Sequence, residues 1–81
     1  MKFLPIGSIN MAAITFNKEL YSVQSVHAAV DAFSHLADFK VIDNQTYMIV
    51  IVENCRYDED RTVAEFGNYV IDSMNSNNGH N

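Results

Sequence analysis

His27, Asp31 and His35 follow one another at steps of four residues, a spacing that stacks them in one column along a helix. Adjacent members stand at a separation at which two side chains can share a metal ion. The outer pair is about 12 Å apart along a helix axis, so one ion cannot take all three. No companion cluster of Cys or His completes a site, and the column reads as a solvated helix face. Cys55 is the single cysteine, and neighbouring Arg56 can lower a thiol pKa. A nucleophile also needs a base and an orienting group, and no motif supplies them. Ser8, Ser22, Ser25 and Ser34 lack a nucleophile-elbow context, and Gly7, Gly67 and Gly79 are too scattered for a phosphate loop. Asp58-Glu59-Asp60 lacks the spaced ligands and central glycine of a calcium loop, and suits the start of a helix. The chain is therefore read as a non-enzyme, with no catalytic residue, no metal and no cofactor.

With chemistry set aside, the elements carry the reading. Tyr47-Met48-Ile49-Val50-Ile51-Val52 is an unbroken apolar run. Successive strand side chains point to opposite faces, so this strand is apolar on both. Residues 9–16 form a first strand, with Ala12, Ile14 and Phe16 on one face and Met11, Ala13 and Thr15 on the other. Phe3 to Ile6 extend it or pack loosely. Ser22 caps a helix that runs to about Ala37, with Val26, Ala29, Val30, Phe33, Leu36 and Ala37 as its buried stripe. Tyr21 and Val26 are placed for a hydrophobic staple. Residues 39–42 and 46–52 form a hairpin through Asp43-Asn44-Gln45, residue types that tolerate left-handed backbone. Asp58 or Asp60 caps a second helix that reaches about Met74, with Val63, Phe66, Val70 and Met74 inward. Gly67 costs that helix about 1 kcal/mol relative to Ala, which predicts a close approach there. Residues 75–81 read as a disordered polar tail.

The expected fold is α+β: one domain over residues 1–74, in β-α-β-β-α order, with a three-stranded sheet and two helices packed on one face. The first two strands are joined through a helix, so they can run parallel with a right-handed connection. Two helices cover one sheet face, and the other needs a partner. That face carries either Tyr47, Ile49 and Ile51 or Met48, Val50 and Val52. The interface candidates are Tyr47, Ile49 and Ile51, joined by Tyr69, which lies off the main stripe of the second helix.

The chain has 81 residues and a net charge of −5. A chain this short buries only about 60% of its unfolded surface, which favours oligomerisation. Five Lys and Arg make no basic stripe, so nucleic acid is excluded as a partner. The first residues are too short and broken for a signal peptide or membrane span, and a lone cysteine does not argue for an oxidising compartment. The expectation is a cytoplasmic protein with a protein or peptide partner. A homodimer that buries the same sheet face is the alternative.

One pattern goes further. It runs from Ile14-Thr15-Phe16 and Leu20-Tyr21-Ser22 through Val26-His27-Ala28-Ala29 to Phe33. It continues through the Phe39–Val52 hairpin to Glu65-Phe66-Gly67-Asn68-Tyr69-Val70-Ile71-Asp72. Over roughly residues 12–74 this resembles the small D-type protein of His-Xaa-Ser peptide-maturation systems (HxsD-like). Asn68-Tyr69-Val70-Ile71 fits the family's last helix, whereas Asp72 stands where the family has Arg. The resemblance implies an accessory associated with radical-SAM maturases and a His-Xaa-Ser repeat peptide. It implies no catalytic residues.

Overall fold

The computed structural model describes residues 11–79, in the order β1 (Met11–Asn17), α1 (Val23–Phe33), β2 (Asp38–Asp43), β3 (Tyr47–Glu53) and α2 (Glu59–Gly79). Phe3 to Ile6 and the first residues of the expected β1 lie outside the described residues. The strands form one sheet in the order β1-β3-β2. Both outer strands pair antiparallel with β3, so β1 and β2 run parallel to each other with β3 between them. The expected α+β architecture is the observed one.

Alternation along β3 sorts the sheet into two faces. Met48, Val50 and Val52 are buried, whereas Tyr47 is exposed and Ile49 and Ile51 are half-buried. Register carries the same division outward: Ala12, Ile14 and Phe16 lie opposite Val52, Val50 and Met48, and Phe39 and Val41 lie opposite Val52 and Val50. Both helices pack on this side. Val26, Ala29 and Phe33 of α1 and Phe66 and Val70 of α2 complete the core.

Phe66 is the hub of that packing. Its ring stacks on Phe39 of β2 at 5.3 Å, meets Phe33 of α1 edge-to-face at 5.6 Å, and lies tilted against Phe16 of β1 at 6.2 Å. One side chain thus ties two strands and both helices together.

The helix starts follow their caps. Ser22 Oγ accepts from the Ser25 amide at 3.3 Å. Asp58, and not Asp60, caps α2: its carboxylate accepts from the Arg61 amide at 3.1 Å, and its carbonyl accepts from the Thr62 amide. Tyr21, just before the α1 cap, sets its ring edge-on to Phe16.

Several expectations need correction. Helix α1 ends at Phe33, four residues before Ala37. The Ser34 hydroxyl donates to the Asp31 carbonyl, and the Leu36 amide donates to the Phe33 carbonyl, closing the helix in a tight turn. Ala37 is buried from that turn, not from the helix. Helix α2 continues past Met74 to Gly79, so residues 75–79, expected as a disordered tail, extend the helix, and no proline interrupts them. The hairpin turn is not left-handed: Asn44 Oδ1 accepts from the Thr46 and Tyr47 amides, so its side chain mimics a backbone turn. Positive φ falls instead at Asn54, at 55°. The close approach expected at Gly67 is absent: a Cβ at this position would meet no other side chain or element within 4 Å.

Candidate functional site: the bare face of the sheet

The residues that alternate away from the core make a second surface. Its rows run across the strands: Ala13, Ile51 and Lys40; Thr15, Ile49 and Ile42; then Asn17 and Tyr47. Among the described residues no helix covers it. Ile42 is 48% exposed and Tyr47 41% exposed, high values for large apolar side chains. Ile49 and Ile51 owe their partial burial to central position, since each is flanked by a neighbour on both sides. Lys40 stands in the same row as Ile51, and Asp38 and Glu53 pair at the far end. The result is a stripe of Tyr47, Ile49, Ile51 and Ile42 with a polar rim.

Tyr47, Ile49 and Ile51 therefore share one surface. Tyr69 does not join them. It projects from α2 in the helical layer, with its ring edge-to-face on Phe33 at 5.7 Å, and is 40% exposed. It lines a shallow hollow with Asp72, Ser73 and Ser76, on the opposite side of the molecule from the bare face. Ile42 was not among the candidate residues. The signal that could have found it is register, because Ile42 lies directly opposite Ile49.

The chemistry-bearing residues do not converge. His27 and Asp31 are exposed on α1, but His35 lies beyond the helix end, so the column of three is broken. Among the described residues no group of three or more His, Cys, Asp or Glu is placed to hold a metal ion. Burial pushes the Cys55 thiol pKa above its usual range, and the carboxylate of Glu59 raises it further. Arg56 pulls it down, as its position beside Cys55 suggests, but the raising effects of burial, Glu59 and Asp58 prevail. Arg56 is also turned to Asp38, with Nη2 3.6 Å from its carboxylate.

A cleft of about 300 Å³ lies where the turn after α1 meets the start of α2, between Leu36, Tyr57, Asp58, Arg61, Thr62 and Glu65. Its charged groups are engaged with one another or with the helix. Arg61 Nε donates to Glu65 at 3.0 Å, and Asp58 is the α2 cap.

No protein-family model, curated protein or solved structure matches this chain. Among the described residues no helix is long and apolar enough to cross a membrane.

Proposed function

We propose that this chain is a non-enzymatic, cytoplasmic binding module that uses the bare face of its sheet to hold a protein or peptide partner. The observation that carries this reading is the apolar stripe of Ile42, Tyr47, Ile49 and Ile51, exposed at Ile42 and Tyr47 and half-buried at Ile49 and Ile51, on a sheet whose core among the described residues lies on the other side. Exposed apolar stripes with a polar rim are characteristic of binding surfaces.

The size of the face bears on the partner. Three strands about 4.8 Å apart and about seven residues long give a flat area of roughly 350 Å². A stable interface buries about 800 Å² on each partner. A face of that footprint suits an extended peptide or a transient protein contact. The resemblance to the D-type proteins of His-Xaa-Ser systems adds a candidate of that kind: the precursor peptide, or the maturase that modifies it.

A synthetic His-Xaa-Ser repeat peptide, titrated into isotope-labelled protein, tests the reading. The amide resonances of Tyr47, Ile49 and Ile51 should move, and Ile49→Asp should abolish the response while its spectrum stays that of a folded protein. Movement confined to Tyr69 and its neighbours, or none at all, would remove the face from the proposal.

A further inference from the structure

The two edges of the sheet are built differently. On the β2 edge, Asp38, Lys40 and Asp43 place charges along six residues. Asp38 is held by Arg56 and by Asn54, and Asp43 by Lys18. Such charges are how proteins keep an edge from pairing with another chain. Strand β1, Met-Ala-Ala-Ile-Thr-Phe-Asn, carries no charge and no proline over seven residues. Among the described residues nothing pairs with its outer side.

The direction of its backbone groups follows from one hydrogen bond. The Lys18 amide donates to the Thr46 carbonyl at 2.9 Å, so that pair is a hydrogen-bonded one. Antiparallel pairs alternate. Ala12, Ile14 and Phe16 therefore bond inward to β3, and Met11, Ala13 and Thr15 turn their N–H and C=O groups outward. Asn17 agrees: its carbonyl accepts from the Leu20 and Tyr21 amides, outside the ladder. A second observation lies on the helix side. Val50 and Val52 are fully buried, yet Ile14 and Ala12 opposite them are only partly covered, leaving an apolar margin along the edge.

We propose that the outer edge of β1 is a self-association edge, which pairs antiparallel with β1 of a second copy and joins two three-stranded sheets into one of six strands. The segment is complementary to itself. About a twofold axis at Ala13, each outward residue meets another outward residue, Ala13 against Ala13 and Met11 against Thr15. Each such pair can exchange both backbone bonds. On the helix side the same register sets Ala12 against Ile14, a small residue against a large one, and covers the exposed margin. Every side chain in the register is uncharged, so the pairing escapes like-charge repulsion despite the net charge of −5. The contact is isologous and closes at two copies. It also makes the two bare faces continuous, doubling the surface offered to a partner.

Sedimentation across the micromolar range, with amide exchange at Ala13 and Thr15, tests this. The wild-type chain should approach twice the monomer mass, and protection of both amides should rise with concentration. Thr15→Pro removes an outward N–H without touching the β1–β3 ladder, and should stay at the one-chain mass while folded. Ala13→Lys should do the same by setting two charges against each other at the axis. Mixing Ala13→Lys with Ala13→Glu should restore a two-chain species, an outcome that does not depend on how proline is tolerated. A wild-type chain that remains monomeric overturns the proposal. So does protection of Ala13 and Thr15 that is independent of concentration, which would assign the edge to another segment of the same chain. A dimer that survives Thr15→Pro and Ala13→Lys but is lost in Ile49→Asp would assign the contact to the bare face instead.

Discussion

Ile49 and Val50 are neighbours in the chain and lie on opposite sides of the sheet: Val50 is fully buried beneath the helices, and Ile49 stands on the bare face opposite Ile42. The two residues are close in size and chemistry, so truncating each separates the role of the two faces. Val50→Ala should cost about 2 kcal/mol, from lost transfer energy and the cavity left behind. Ile49→Ala should cost less than about 1 kcal/mol, since its site is half open to water. Urea denaturation of the two variants provides the comparison, and equal losses would mean that the bare face is core.

Gly67 is a helical glycine with open space where a side chain would begin. Ala at this position lowers the entropy lost on folding without a clash. Gly67→Ala should stabilise the protein by about 1 kcal/mol, which in a domain of this size is a rise of roughly 4–8 °C in Tm. Calorimetry would detect it, and a fall in Tm would reveal a contact that the open space does not suggest.

The Cys55 thiol is held above its usual pKa, first by burial and then by Glu59, against the opposing pull of Arg56. It should react slowly with an alkylating reagent at neutral pH, with a rate that climbs only in a more alkaline range than a free thiol needs. Glu59→Gln should move that profile to lower pH and Arg56→Ala to higher pH. The linkage has a definite sign. The folded state keeps its thiol proton longer than the unfolded chain, so this group's contribution is fully present below the unfolded pKa. It is lost as pH rises through the folded one. An alkylation profile at or below that of a free thiol would contradict the burial and charge arrangement around Cys55.

Much of the fold was legible in local chemistry. Ser22 and Asp58 announce helix starts because their side chains meet amides that a first turn leaves free. Apolar periodicity picked out Val26, Ala29, Phe33, Phe66 and Val70, all of which lie in the core. Competing local bonds shift the helix end and the hairpin turn from what periodicity and residue type predict. Ser34 and Leu36 close α1 early through bonds to the preceding turn, and that same closure takes His35 out of line with His27 and Asp31. Asn44 serves the hairpin through its side chain and has no need of left-handed backbone.

The candidate site was legible only in part. Tyr47, Ile49 and Ile51 follow from the two-residue period of a strand, which places them together without saying on which side. Tyr69 lies off the main stripe of α2, which marks it as outward without saying on which side of the molecule it stands. Packing against Phe33 puts it in the helical layer instead. Ile42 joins the face only through its pairing with Ile49, a relation between strands that no spacing within one strand reveals.

The amino-acid order by itself determined that β3 would be apolar on both faces and that only two helices were at hand to cover it, because periodicity and capping are properties of short segments. Which face those helices would take was a tertiary decision. Phe66 draws Phe16, Phe33 and Phe39 around itself, and that cluster lies with Met48, Val50 and Val52. Burial of the larger aromatic set on one side leaves the smaller stripe of Tyr47, Ile49 and Ile51 outside. The contrast between a charged β2 edge and an uncharged β1 edge likewise has meaning only once the order β1-β3-β2 makes both of them edges.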